Sequence, residues 1–264
     1  MQFELSERLK TVAECVTRGN AVADIGTDHG YLPIYLCTQQ IAPYVIGMDV
    51  NKGPLSRAAK NIGGLSGQIE LRLSDGLAGL KPQEVQTVTI CGMGGKLMER
   101  ILTEGEHVIT SDMEIILSPQ SELMHFRAYL ELKHYCVVQE HIVLEDGKFY
   151  FIMKCRREAE KENAQNTAPK ALPVWKCTEK QLKKMLQQQK DFESFANLTY
   201  GTYLLEHPDD TLAKLIELDR QSLVRVREQV ASCESQHRES RLAEIDFALK
   251  AIAYAQRKAQ EAAK

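Results

Sequence analysis

The stretch Asp24-Ile25-Gly26-Thr27-Asp28-His29-Gly30 packs two glycines, two carboxylates and an imidazole into seven residues. An apolar run, Ala21 to Ile25, leads into it, and a helix-compatible run from Leu32 leads out. Between a buried strand and a helix, glycines let the backbone turn sharply and approach a ligand closely. A plain strand-to-helix turn would also use a glycine pair, and Asp49 tips the balance. It ends the next β-rich run, beside Val50 and 23 residues after Gly26. An acid there is placed to accept both ribose hydroxyls of a nucleoside cofactor. The G-x-G-x-x-G pattern of dinucleotide sites is not met, because Asp28 stands at its second glycine. A methionine-derived nucleoside needs no phosphate cradle and fits this turn; NAD is the alternative.

Three further loops carry chemistry-bearing residues. Ser74-Asp75-Gly76 ends a third β-rich run, where Asp75 suits an adenine amino group and Asp-Gly also suits a simple turn. Cys91-Gly92-Met93-Gly94-Gly95 ends a fourth, at the edge where doubly wound sheets bind ligands. Three glycines around Met93 imply close backbone approach by a cofactor and a substrate, with Met93 and Gly94 as cofactor candidates and Gly95 as a substrate candidate; a flexible loop is the alternative. Ser118-Pro119-Gln120-Ser121 ends a fifth: Gln120 is suited to a base edge, and Ser121 to capping a helix. Asp28 and His29 are the acid–base candidates. Tyr31 either stacks on a base or packs at a helix start. Arg8 is placed to pair with a cofactor carboxylate or a phosphate, or to sit on a solvated helix face.

The elements that position these loops alternate. Helical spacing of Leu5, Leu9, Val12, Ala13 and Val16 predicts a first helix over about 5–17. Strands are expected at 21–25, 44–49, 69–73, 85–91 and 113–117. Helices are expected at 32–40, from Pro54, at 96–104 and at 122–133. The alternation argues for a mostly parallel sheet covered on both faces. Runs 137–144 and 149–155 flank Asp146-Gly147, a strong hairpin signal, so the sheet closes antiparallel. Residues 156–170 read as a polar linker. Beyond it, Leu212, Ile216, Asp219, Leu223, Val226, Val230 and Cys233, then Leu242, Ile245, Leu249 and Ile252, follow seam spacing. That predicts an α-helical, coiled-coil-like hairpin turning at 234–237, with Asp219 as its flaw or its opening.

Composition bounds the partners. The 264 residues carry a net charge of -3, with 16 Lys/Arg against 21 Asp/Glu in 1–160 and 17 against 15 in 161–264. Nucleic-acid binding would therefore need a local patch. Candidates are Lys176, Lys180, Lys183 and Lys184 near the lone Trp175, with Arg225 and Arg227. Seven cysteines without C-x-x-C spacing read as reduced thiols, with no metal site expected. No apolar run reaches membrane-spanning length and the first residues lack a secretion pattern, so a cytoplasmic location is expected.

Taken together, Leu5-Ser6-x-Arg8-Leu9, the 24–30 turn with Tyr31-Leu32-Pro33, Gly92-Met93-Gly94-Gly95 and the 145–148 hairpin resemble one family over nearly the whole chain. It is that of the bacterial tRNA (adenine-22-N1)-methyltransferases. The resemblance implies a Rossmann-like class I methyltransferase domain over 1–160, a helical domain over 161–264, S-adenosylmethionine as donor and tRNA as partner. By motif match Asp24, Gly26, Asp49, Asp75 and Gly76 hold the cofactor. Arg8, Thr27, Asp28, Gly30, Tyr31, Val50, Met93 and Gly94 complete its surroundings. Gly95, Gln120 and Tyr31 face the substrate. The family pattern Leu-Gln-Pro-Asn is here Leu117-Ser118-Pro119-Gln120, so Gln120 stands in the place of the Asn. A monomer is expected, or a dimer if the hairpin pairs between chains. The alternatives are methyl transfer to another RNA or a small molecule, and a non-catalytic cofactor-binding assembly module.

Overall fold

A computed structural model of the chain describes residues 5–158 and 191–264. These form two compact units, residues 5–122 with 129–158, and residues 123–128 with 191–264. The second unit thus takes six residues, 123–128, from the earlier part of the chain. The expected basic run Lys176, Lys180, Lys183 and Lys184, Trp175 and residues 159–170 of the expected linker lie outside the described residues.

The first unit is built on one seven-stranded sheet. In chain order its elements are α1 (Glu7–Cys15), β1 (Val22–Ile25), α2 (Tyr31–Thr38), β2 (Val45–Asp49), α3 (Lys52–Ile62) and β3 (Ile69–Leu73). There follow β4 (Thr87–Met93), α4 (Gly95–Glu104), β5 (Glu114–Pro119), α5 (Leu123–Leu132), β6 (Tyr135–Glu145) and β7 (Lys148–Arg157). The strand order is β3-β2-β1-β4-β5-β7-β6. β1 to β5 pair in parallel, and β7 pairs antiparallel to both β5 and β6. β1 and β2 are buried along their whole length, as central parallel strands covered on both faces are. This is a Rossmann-like sheet, mixed through its closing hairpin. Asp146 (φ 50°) and Gly147 (φ 75°) close that hairpin with the two positive φ values of a type I′ turn. Arg156 and Arg157, expected to open the linker, instead extend β7 and pair with Cys136 and Tyr135.

The helices are fixed by apolar faces and caps. Ser6 Oγ accepts the Leu9 N–H (3.4 Å) and starts α1. The buried α1 residues Val12, Ala13 and Cys15 pack with Leu32, Leu36 and Cys37 of α2 and with strand residues Val22, Val45 and Ile116. Each large apolar side chain buried in this way stabilises the unit by roughly 1.5–3 kcal/mol.

The second unit is helical: residues 123–128 of α5, α6 (Phe192–Tyr200), α7 (Thr202–Glu206), α8 (Asp210–Ser232) and α9 (Arg238–Ala262). Seam spacing located α8 and α9 but not α6 and α7. α6 is signalled by Asp191, whose Oδ1 accepts the N–H groups of Glu193 (3.0 Å) and Ser194 (3.1 Å). Arg127 donates to the carbonyls of Leu198 (3.0 Å) and Thr199 (2.6 Å), closing the other end of α6. Phe195 meets Phe247 edge-on, and Arg227 pairs with Asp246 (2.6 Å) between α8 and α9. Asp219 is no flaw: Tyr200 Oη donates to its Oδ2 at 2.9 Å. Among the described residues no helix is long and apolar enough to cross a membrane.

At the N-terminal edge of the sheet one carboxylate ties four segments together. Glu114, 2% exposed, accepts hydrogen bonds from Thr17 Oγ1 (2.7 Å), Asn20 Nδ2 (3.3 Å) and Thr87 Oγ1 (3.2 Å), and Lys154 Nζ lies 2.9 Å away. Burial pushes this carboxyl up, but the hydrogen bonds from Lys154 and Thr17 outweigh it and hold its pKa below the usual value. Its stabilisation is therefore present at neutral pH and is lost as pH falls through that lowered pKa. Glu114→Ala should cost about 3 kcal/mol in urea unfolding at pH 7, because Lys154 loses its buried partner. The gap to the wild type should close in acid, and a gap independent of pH would contradict the ionic account.

Candidate active site

A cleft of about 300 Å³ opens at the C-terminal ends of β1, β4 and β5. Arg8 and Leu9 of α1 line it, with Asp24, Gly26, Thr27, Asp28, His29, Tyr31 and Leu32 of the β1–α2 connection, Cys91 and Gly92 of β4, and Gln120 after β5. The backbone turn explains this convergence. The N–H groups of Gly26 (2.8 Å) and Thr27 (3.0 Å) both donate to the Met48 carbonyl, folding the chain over the end of β2. Gly26 adopts φ +78°, and a Cβ there would lie 2.3 Å from Met93 Cε. Gly30 adopts φ +74° and closes against Ala58 of α3. At these two positions glycine is required by backbone conformation and by close packing together.

The cleft holds one buried acid and one cation whose hydrogen-bonding capacity is only partly used. Asp24 is 5% exposed and accepts a hydrogen bond from Thr89 Oγ1 (2.8 Å). Burial raises its pKa to about 6; the Thr89 and Thr27 hydroxyls oppose the rise and the Asp49 carboxylate adds to it. Arg8 Nε and Nη1 are buried without a hydrogen-bond partner. Its guanidinium carbon sits 4.8 Å from the centre of the Tyr150 ring. Leaving such donors unpaired costs roughly 1–3 kcal/mol each, which an anion in the cleft would relieve. Burial drives the Cys91 thiol far above its usual pKa, with the Asp24 charge adding and Arg8 opposing, so Cys91 is an inert wall.

The mouth is polar and aromatic. Asp28, at φ 47°, is held by Arg57 Nη2 (3.0 Å), and its Oδ2 lies 3.7 Å from His29 Nε2. The His29 and Tyr31 rings stack at 5.2 Å and 8°. Asn61 Nδ2 donates to the His29 carbonyl (3.0 Å), fixing the backbone beneath the stack.

Of the residues singled out in the sequence, Arg8, Asp24, Gly26, Thr27, Asp28, His29, Tyr31, Cys91, Gly92 and Gln120 come together here. The others lie around the cleft. Gly30 supports it from behind. Asp49 ends β2 directly after Met48, and its Oδ1 accepts the Asn51 N–H (2.8 Å). Val50 beside it is 58% exposed. Asp75 stands apart, exposed, with its carboxylate held by Arg100 (2.8 and 3.1 Å). Gly76, at φ +54°, packs on Ile101 of α4. Met93 backs Gly26, Gly94 caps α4 where a Cβ would meet Ser121 Oγ at 2.8 Å, and the Gly95 N–H donates to the Ser121 carbonyl (3.2 Å). Sequence reasoning missed Leu9, Leu32, Arg57, Asn61 and Tyr150. The first two read as helix core, and the others act through contacts that no local spacing signals. Among the described residues no group of His, Cys, Asp and Glu is arranged to hold a metal ion.

The buried acid has a stability consequence. With its folded pKa raised above the ordinary 3.8, Asp24 binds its proton more tightly in the folded chain, and stability falls as pH rises from about 4 to 6. Asp24→Asn removes that loss. The variant should gain on the ligand-free wild type across this window, by at most about 3 kcal/mol, and hold the gain above it. Denaturant midpoints at pH 4, 5, 6 and 7 measure it, and parallel curves would reject it.

Residues 5–153 match the family model described as a methyltransferase domain. A Bacillus subtilis (strain 168) protein, tRNA (adenine(22)-N(1))-methyltransferase, is 38% identical over 154 residues, 58% of this chain. The match spans 65% of that protein's length. The crystal structure of the Bacillus subtilis M1A22 tRNA methyltransferase TrmK is similar at TM-score 0.74 and 26% identity, covering 97% of this chain and 100% of that one. Streptococcus pneumoniae Sp1610 in complex with S-adenosyl-L-methionine is similar at TM-score 0.71 and 26% identity, covering 96% and 100%. With the strand order and cleft described above, the match over residues 5–153 establishes that this chain belongs to the methyltransferase-domain family.

Proposed function

We propose that the chain transfers a methyl group from S-adenosylmethionine to N1 of adenine 22 in tRNA, acting as a cytoplasmic monomer. The observation that carries the reading is the pairing in one cleft of a half-buried guanidinium, Arg8, two of whose nitrogens are buried without a hydrogen-bond partner, with a buried carboxylate, Asp24. An α-amino-acid end, with one carboxylate and one ammonium, complements that pair. The similarity to TrmK and to the tRNA (adenine(22)-N(1))-methyltransferase of Bacillus subtilis supports the substrate.

The residues present fit the cofactor. Arg8 takes its carboxylate and Asp24 its ammonium, which favours the ionised acid. Asp49 uses Oδ1 on the Asn51 N–H and offers Oδ2 to the ribose hydroxyls. Val50 and Leu73, 58% and 52% exposed at the ends of β2 and β3, offer apolar surface to the adenine. Asp75 joins only if it leaves Arg100. The bound cofactor supplies an electrophilic methyl group.

The protein's part is alignment. Adenine N1 carries its own lone pair, so no base is needed to create the nucleophile, and holding the base in line supplies most of the acceleration. N1 lies on the Watson–Crick edge, so the base must leave its stack. Tyr31, stacked on His29, gives it an aromatic face, and Gln120 gives its edge a hydrogen-bonding partner. Methylated N1 leaves a cation, relieved by loss of an N6 proton; Asp28 and His29 are the acceptors at the mouth. The helical unit, read as a coiled-coil-like arm, adds phosphate contacts. Arg225 is exposed there, whereas Arg227 is engaged with Asp246.

The test is transfer of labelled methyl from S-adenosylmethionine to unmodified tRNA transcripts, with an adenine-22-to-guanine transcript alongside. Label should enter only the adenine-22 transcript, appear as N1-methyladenosine after digestion, and fall steeply as salt rises. Equal labelling of both transcripts, or none despite cofactor binding, would overturn the assignment of the target.

A further inference from the structure

We infer that Tyr150, on the β6–β7 hairpin, is a positioning residue that holds Arg8 ready for the cofactor's carboxylate. The inference rests on the methyltransferase reading above and extends it to a residue that does not line the cleft.

A guanidinium inside a protein is ordinarily held by carboxylate or carbonyl acceptors, which occupy its N–H groups. Arg8 is held differently. Its Cζ lies 4.8 Å from the centre of the Tyr150 ring, a cation–π contact that engages no N–H. Nε and Nη1 stay buried without a hydrogen-bond partner, and Arg8 lines the cleft that also holds Asp24. The ring therefore fixes the cation without using these two donors.

The hairpin is anchored for this task. The Asp146-Gly147 turn sets the register Glu145↔Lys148, Leu144↔Phe149 and Val143↔Tyr150. Glu145 Oε1 accepts the backbone N–H of Arg8 itself (3.4 Å), so one turn of hairpin fixes both the backbone and the side chain of this residue. Lys148 Nζ lies 5.3 Å from the same ring but is exposed, so water supports its charge. Arg8 depends more on the ring. A small carboxylate suits these donors better than a nucleic-acid phosphate does. They are buried in a cleft of about 300 Å³, and Asp24 offers the opposite charge that an amino acid, but not a phosphodiester, requires.

The experiment compares calorimetric binding of S-adenosylhomocysteine and of decarboxylated S-adenosylhomocysteine, which lacks only the carboxylate. Tyr150→Leu should weaken S-adenosylhomocysteine binding roughly five- to tenfold, the loss of one partly desolvated cation–π contact. Tyr150→Phe, which keeps the ring, should stay within about twofold. Tyr150→Leu should add little to the loss already caused by Arg8→Met, since the two share one route. Both variants should bind the decarboxylated analogue as the wild type does, which also reports that the site is folded. In turnover, Tyr150→Leu should raise KM for S-adenosylmethionine and leave kcat near the wild-type value. Unchanged S-adenosylhomocysteine binding by Tyr150→Leu, or equal weakening for both ligands, would overturn the positioning role. Failure of the wild type to bind either ligand would instead overturn the methyltransferase reading beneath it.

Discussion

β1 lies between β2 and β4, and the active cleft depends on that placement. The chain leaves β1 toward α2 on one side, while β4 continues outward to β5, so the connections at the C-terminal edge diverge and leave a crevice. The strands beneath stay tightly joined. Thr89 on β4 bonds Asp24 on β1, and Gly26 meets the end of Met93 so closely that no side chain fits. The crevice is thus narrow at its floor and open only above. A floor of this kind brings residues from α1, β1, β4 and the end of β5 within reach of one small molecule.

Burying ionisable groups at such a floor opposes stability. Asp24 ionises reluctantly there, and Arg8 keeps donors that nothing in the described chain satisfies. Elsewhere in the same unit Glu114, buried, has lysine, threonine and asparagine partners, and the half-buried Arg72 is held by Glu70 (2.6 Å) and Glu84 (2.9 Å). The two unpaired Arg8 nitrogens beside a reluctantly ionised Asp24 mark charge held for a ligand rather than for the fold. The cost is modest beside the apolar core of α1, α2 and the strands, which is why the unit tolerates it.

What the sequence made legible was local. The 24–30 turn could be read because glycine spacing and a strand-end acid report a backbone conformation that only those residues allow. The β6–β7 turn could be read because Asp-Gly specifies two positive φ angles. Parallel strands with continuous apolar runs announced the sheet. Contacts between distant segments carried no such signature. Arg8 and Tyr150 are far apart in the chain, and neither type nor spacing links them. Asp75 follows β3 as a cofactor-binding acid would, and the hydrogen bond that Arg100 of α4 gives it there could not be read from spacing. Asp219 looked like a fault in a helical seam, because the partner that satisfies it, Tyr200, sits on a short helix outside the heptad pattern. Periodicity locates elements; it is silent on which side chain will meet a buried polar atom.

The proposed chemistry also explains why the cleft is so constrained in its backbone. Adenine N1 needs no activation, and a methyl group passes between two centres only when they are nearly in line, so misalignment by a fraction of an ångström costs rate directly. A mobile loop would meet that demand poorly. Here Gly26 and Thr27 share one carbonyl acceptor, Asp28 is held in a left-handed conformation while Arg57 grips its side chain, and Asn61 fastens the His29 carbonyl. Every residue from 26 to 29 is tied to β2 or α3 by at least one such bond. The strain at Asp28, of order 1 kcal/mol for a non-glycine at positive φ, is accepted in return for fixing the imidazole and the Tyr31 ring stacked on it. Rigidity here serves the reaction more directly than acid–base strength, because the base brings its own lone pair and asks the protein chiefly for a fixed place.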